Sequence, residues 1–97
     1  MPTLALRFER DELQETFQYG CIVEMWDNVV GRGASGSNRR KYQEAFTDKE
    51  RKLISKWHTR FVEWHLGSGP PEQVYFEDLR SVDLLRRAIY FFATVEQ

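Results

Sequence analysis

Cysteine is nearly absent from this sequence, which has one cysteine, Cys21, among its 97 residues. A single cysteine excludes a disulfide bond within the chain, the link on which many small secreted domains depend. Long apolar runs are absent too, and no stretch approaches the roughly 20 apolar residues of a membrane-spanning helix. The first residues reach the charged Arg7 without the basic and apolar segments of a signal peptide. We therefore expect a cytoplasmic protein that contacts no membrane.

Neither positive nor negative charge is in large excess, and the net charge is −1 at pH 7. The distribution is uneven, however. Residues 1–31 carry two basic and six acidic side chains, residues 32–60 carry nine and three, and residues 61–97 carry three and six. Apolar residues make up 41% of the chain and aromatic residues 14%, which is enough for one modest core. The composition predicts a single folded domain, 1–97, with a basic central third.

The first third of the chain changes from a strand pattern to a helix pattern. Residues 3–8 alternate apolar and other side chains, as a half-buried strand does. From residue 11 to residue 30 the apolar positions follow helical spacing, so we expect one continuous helix there. Gly20 lies inside this helix and indicates a bend or a close helix contact. Cys21 falls on the apolar stripe and is expected to be a buried structural residue rather than a reactive thiol.

The rest of the chain predicts two further helices and a second short strand. Residues 31–41 are rich in glycine, serine and arginine and are interpreted as a flexible loop. Thr47 and Glu50 fit a capping box that begins a helix over residues 48–66, and Gly67 is placed to end it in a left-handed conformation. Residues 74–76 are good strand residues that could pair with residues 3–8. A last helix runs from residue 78 or 81 to residue 94. The expected fold is mainly α, with a small α+β fold as the alternative: a three-helix domain with a short strand pair.

Three glycines, Gly31, Gly33 and Gly36, have the spacing G-x-G-x-x-G of a dinucleotide-binding loop. That function requires a strand before the first glycine, a helix after the loop and a parallel sheet around it. The chain offers a predicted helix before the loop and only two short strands. Nucleotide or phosphorylated-ligand binding through residues 31–41 is therefore the third of our hypotheses, and we expect no cofactor.

The basic third of the chain supplies the candidates for macromolecule binding. Four basic residues follow one another at intervals of three or four, which places them in one stripe along a helix: Lys49, Lys52, Lys56 and Arg60. Arg32, Arg39, Arg40 and Lys41 could extend this stripe from the loop. A stripe of this kind can neutralise nucleic acid phosphates, although solvated helix faces carry similar charge runs. Nucleic acid binding by residues 39–60 is accordingly the second hypothesis.

No arrangement of residues predicts catalysis or metal binding. His58 and His65 lie seven residues apart, about 10 Å along a helix, whereas two ligands of one ion are three or four residues apart. No serine–histidine or paired-carboxylate arrangement can be inferred from the spacing. We therefore expect a protein that is not an enzyme.

The first hypothesis is a small interaction or regulatory protein that binds another protein. One example of such a protein is an accessory inhibitor that a phage or mobile element uses against a host system, since many of these inhibitors are of this size. Tryptophan, tyrosine and arginine, which dominate binding interfaces, are abundant here. The last helix has an apolar face wider than one neighbour requires, so it is either central or paired with a second copy. The self-association candidates are Leu84, Ala88, Phe91 and Val95.

Overall fold

The structure is a computed structural model that describes residues 6–95. In chain order its elements are β1 (Leu6–Glu9), α1 (Arg10–Phe17), α2 (Gly20–Val29), α3 (Gly36–Ala45), α4 (Asp48–Leu66), β2 (Gln73–Phe76) and α5 (Leu79–Thr94). The predicted class, mainly α with a small β part, is confirmed. The described residues contain five helices rather than three, because one predicted helix is broken and one predicted loop is partly helical.

The two strands pair, as the sequence indicated they could, and the pairing is antiparallel. Leu6 lies opposite Phe76, and Glu9 lies opposite Gln73. Val74 and Phe76 are buried while their neighbours in β2 are exposed, so one face of the pair covers the core. Residues 3–5, which we also predicted to be extended, lie outside the described residues.

The predicted continuous helix over residues 11–30 is wrong, because the chain turns between α1 and α2. Gln18 has φ 44°, a left-handed conformation that ends α1, and its N–H donates to the carbonyl of Gln14. The turn lets α1 pack on the strand pair while α2 packs on α4 and α5. Gly20 does not mark a close contact between helices, since a Cβ built there meets no atom within 4 Å.

The predicted loop over residues 31–41 is also wrong in its second half, where α3 begins at Gly36. The Ser35 hydroxyl accepts a hydrogen bond from the Asn38 backbone N–H at 3.0 Å and so caps the helix. The Asn38 side chain is buried and donates to the Asn28 carbonyl at 3.1 Å. Tyr42 and Phe46 then anchor this polar helix in the core. The irregular connection therefore covers only residues 30–35.

The beginning of α4 confirms the predicted capping box. The Thr47 hydroxyl accepts from the Glu50 N–H at 3.2 Å, and the Glu50 carboxylate accepts from the Thr47 N–H at 2.9 Å. The helix ends at Leu66, directly before Gly67 as predicted. The left-handed residue, however, is Gly69 with φ 92°, whereas Gly67 has φ −108°. The predicted conformation of Gly67 was therefore wrong.

Helix α5 is the central element, and this accounts for its wide apolar face. It contacts α1, α2, α4 and β2. Leu84 is 6% exposed and Ala88 is fully buried, so both lie in the chain's own core rather than on a self-association surface. Phe91 and Val95 are half-buried and pack against the same core. Across residues 6–95 no helix combines the length and apolar character that a bilayer crossing requires.

Candidate functional site

The basic side chains of α4 keep the stripe that the sequence predicted. Lys49, Lys52 and Lys56 are exposed. Lys56 forms an ion pair with Glu77, with 3.1 Å between Nζ and Oε1. The guanidinium of Arg60 lies over the ring of Trp57, 4.6 Å from its centre. Part of the positive charge of the stripe is thus already matched within the chain.

Of the basic residues that precede α4, Arg39 lies near a different side of that helix from Arg60. Arg39 lines a cleft with Arg51 and Ser55 of α4, whereas Arg60 faces β2. Since each residue turns an α-helix by about 100°, Ser55 and Arg60 point about 140° apart. Arg32, Arg40 and Lys41 are exposed. Arg39 and Arg60 therefore line different cavities.

Two arginines that the sequence did not single out complete the end of α3. Arg51 donates to the carbonyl oxygens of Gln43 and Phe46 and pairs with Asp48. Arg87 donates to the Ala45 carbonyl at 3.4 Å and to Glu50 at 3.1 Å. Because α3 has no basic residue in its own last turn, these side chains satisfy its C-terminal carbonyls. Their role is structural, and it depends on helices that the sequence places far apart.

The glycine motif surrounds a carboxylate of the chain itself. The Asp27 carboxylate accepts a hydrogen bond from the backbone N–H of Arg32 at 3.2 Å. A Cβ on Gly31 would lie 2.9 Å from the Asp27 Cα, and a Cβ on Gly33 would lie 3.0 Å from an Asp27 carboxylate oxygen. These two glycines therefore allow residues 31–33 to pack around Asp27. A bound phosphate would meet negative charge at this loop, which weighs against the nucleotide hypothesis.

The histidines and the cysteine occupy unrelated places. The His58 ring stacks on Trp26 with 3.8 Å between ring centres, and burial lowers the pKa of His58. His65 is exposed and Cys21 is half-buried, less than we expected for Cys21. In the part of the chain that the structure describes, no three side chains of metal-binding type are grouped to hold an ion.

Among the described residues, the edge of β2 that faces away from β1 pairs with no other strand. The Arg10 N–H donates to the Glu72 carbonyl at 2.9 Å, which continues the register of the two strands by one pair. Bonded and non-bonded pairs alternate in an antiparallel ladder, so Phe8–Val74 is a bonded pair and Arg7–Tyr75 is not. The backbone N–H and C=O groups of Gln73 and Tyr75 therefore point away from β1. Among the described residues, no other backbone group bonds to them.

This open edge borders a groove of about 670 Å³, here called the edge groove. Helix α4 forms its other wall. The groove is lined by Arg60, Glu63, Trp64, Pro71 and residues 73–77. No described residue of β1 lines it, which places it on the side of β2 away from its partner strand. It thus combines unpaired backbone groups with a half-buried tryptophan and an exposed carboxylate.

The walls of the edge groove are held by contacts that cross from α4 to β2. Trp57 stacks on Phe76 with 4.5 Å between ring centres, and the Lys56–Glu77 ion pair joins α4 to the residue that follows β2. Trp64 is fixed by the rings of Tyr19 and Phe61. The groove is consequently a preformed feature of the fold. The alternating pattern of residues 73–76 indicated the strand, but nothing local in the sequence indicated that α4 runs beside its free edge.

Comparison of the chain with protein-family models, with curated proteins and with solved structures gave no match. The function is therefore inferred from the geometry of the chain itself.

Proposed function

We propose that this protein is a non-enzymatic interaction protein that binds a segment of another protein in the edge groove. The segment adds to β2 as a third strand, in extended conformation. The observation that carries the proposal is the open edge of Gln73 and Tyr75 in a groove walled by α4. Addition of a peptide strand to a free sheet edge is a recurrent mode of recognition.

The chemistry of the edge groove fits such a segment. Gln73 and Tyr75 each offer one backbone donor and one acceptor, and each hydrogen bond contributes about 0.5–1.5 kcal/mol net. Side chains of the added strand alternate between two faces. We expect an apolar side chain on the inner face, against Trp64, and a basic side chain near the exposed carboxylate of Glu63.

The distribution of charge favours a protein segment over nucleic acid. Lys56 is paired with Glu77, and Glu63 lies on the wall of the same groove. Arg60 lines this groove, whereas Arg39 and Arg51 line a different cavity. Tight binding to a phosphate backbone uses several cations along one continuous path.

Selection from a library of randomised peptides against the purified protein tests the proposal. We expect enriched peptides that share one apolar position and bind as extended strands. Tyr75→Pro removes an outward N–H without removing a ladder bond, because Pro is tolerated at edge positions of this kind. It should reduce the affinity of an enriched peptide by about tenfold, through one lost hydrogen bond and a blocked edge.

The matched control is Arg7→Pro, which makes the same change on the opposite, outer edge of β1. Arg7 lies directly across from Tyr75, so the two variants perturb the strand pair alike. Equal loss of peptide affinity in the two variants would contradict binding at the edge groove, as would a selection that enriches no peptide. NMR spectra of both variants check that the strand pair is retained.

A further inference from the structure

A second cavity lies on another side of the molecule, enclosed by α2, α3 and α4. It has a volume of about 300 Å³ and is here called the arginine cleft. Its lining residues are Trp26, Val29, Val30, Arg39, Tyr42, Gln43, Arg51 and Ser55. Two of these side chains are cationic and none is acidic. The arginine cleft shares no lining residue with the edge groove.

The hydroxyl of Tyr42 is the unusual group in this cleft. Tyr42 is 4% exposed, and its ring is held by Phe46, Phe91 and Phe92. Its hydroxyl makes no hydrogen bond to another described residue and opens onto the cleft rather than being sealed in the core. Burial raises the pKa of Tyr42 to about 12, while the nearby charge of Arg51 acts in the opposite direction. At neutral pH the hydroxyl is therefore protonated and can donate a hydrogen bond to a ligand in the cleft.

The two arginines make the cleft electropositive in different ways. Arg39 uses one of its N–H groups on the Gly31 carbonyl, at 2.8 Å, and keeps others for a ligand. Arg51 is engaged with the carbonyls at the end of α3 and with Asp48, so it contributes charge rather than a free fork of donors. An anion in this cleft would meet a guanidinium donor, a phenol donor and a second positive charge.

Apolar residues form another part of the lining, where Trp26 presents the edge of its ring because both ring faces are covered. The Trp26 ring is fixed between His58, at 3.8 Å, and Phe92, at 5.9 Å between ring centres. Val29 and Val30 continue this wall. A volume of about 300 Å³ is at the lower end of small-molecule sites. The ligand class is thus restricted to small molecules with one anionic end and an apolar body.

We propose that the arginine cleft binds a small organic carboxylate. Its carboxylate accepts hydrogen bonds from the Tyr42 hydroxyl and the Arg39 guanidinium, and its apolar body lies against Trp26. A monocarboxylate fits better than a phosphate because free donors are few and half of the wall is apolar. The site is independent of the peptide binding proposed for the edge groove.

Titration with benzoate, followed by NMR of the backbone amides and the Trp26 indole N–H, tests this inference. We expect saturable shifts at Trp26, Gln43 and Ser55, and binding at least about tenfold tighter than that of benzyl alcohol, which has the same ring without the charge. Tyr42→Phe keeps the ring contacts and should weaken benzoate binding about fivefold to tenfold.

Unfolding measurements separate loss of the ligand contact from loss of structure. Tyr42→Phe keeps the ring and removes a hydroxyl that makes no hydrogen bond to another described residue, so the ligand-free protein should be about as stable as the unchanged chain. Arg39→Gln should also weaken benzoate binding, whereas Arg40→Gln, the exposed neighbour, should leave it unchanged.

The inference is overturned if benzoate gives no saturable shift or binds no better than benzyl alcohol. It is equally overturned if Tyr42→Phe and Arg39→Gln bind benzoate as the unchanged chain does. Shifts confined to residues 73–77 would place the anion in the edge groove and would also reject the arginine cleft as its site.

Discussion

Arg51 and Asp27 stabilise this fold through hydrogen bonds to backbone groups of neighbouring segments. Arg51 satisfies carbonyls at the end of α3, and Asp27 accepts the N–H of Arg32 where residues 31–33 fold around it. Both residues resemble ordinary surface charges in the sequence. Their functions come from the groups placed next to them, and the same is true of His58.

The stability of the protein should depend on pH through His58. Its ring lies between solvent and the Trp26 ring, and burial lowers its pKa in the folded protein. The unfolded chain therefore binds the proton more readily. Stability should be full above about pH 6.5, the ordinary value for histidine, and should fall as pH decreases from there to the lowered pKa. Urea unfolding at a series of pH values measures this slope.

Substitutions of the two histidines identify the source of that slope. His58→Gln should flatten it, whereas His65→Gln, which changes an exposed residue, should leave it in place. A slope that persists unchanged in His58→Gln would show that another group is responsible. The carboxylate of Glu50 does not interfere in this range. Its pKa is lowered by the Thr47 backbone hydrogen bond and by Arg87, so its contribution is lost only below its ordinary value of 4.5.

The connection between α2 and α3 shows how one glycine pattern contains glycines of different roles. A Cβ on Gly31 would collide with the backbone and the carboxylate of Asp27. At Gly36, the first residue of α3, a Cβ would meet no atom within 4 Å. The first glycine is required by close packing, while the last one is replaceable.

Alanine substitutions at these two glycines should therefore act in opposite directions. Gly31→Ala should destabilise the protein by about 1–3 kcal/mol, because the connection must move away from Asp27. Gly36→Ala should stabilise it by up to about 1 kcal/mol, since alanine loses less conformational freedom in a helix. The free energies of unfolding in denaturant measure both effects. A stability loss of similar size in both variants would contradict the packing of Gly31 on Asp27.

The molecule as a whole is organised around α5, whose apolar side chains are used within one chain. Leu84 and Ala88 are buried by α5's own neighbours, so two of the four residues predicted for self-association are not available to a second copy. What remains exposed on α5 includes Leu79 and Tyr90, near opposite ends of the helix. Scattered exposed apolar residues are normal on a folded domain.

We therefore expect the protein to be a monomer in solution. Light scattering coupled to size-exclusion chromatography should give a mass near that of the 11.6 kDa chain over a wide range of concentration. A mass of twice that value would indicate a second copy on another surface. If Arg7→Pro kept the dimer and Tyr75→Pro lost it, the open edge of β2 would be the interface between copies.

Features that depend on neighbours along the chain could be predicted from the sequence. The capping box of Thr47 and Glu50, the alternation in residues 74–76 and the apolar strips of α5 are of this kind, because each is formed within a few residues. These local patterns were sufficient to predict the fold class and the two strands. The basic stripe of α4 followed from helical spacing in the same way.

Features that depend on distant residues were decided by tertiary structure. The left-handed turn at Gln18 lets α1 pack on the strand pair and α2 on α4 while both contact α5, and α3 is held by Tyr42 and Phe46 in a core built mostly by other helices. Both candidate sites belong to this second group. The edge groove requires α4 beside the open edge of β2, and the arginine cleft requires Trp26, Arg39 and Arg51 from three helices. No local pattern encodes such proximity, because the free energy that creates it comes from burying side chains that are far apart in the chain.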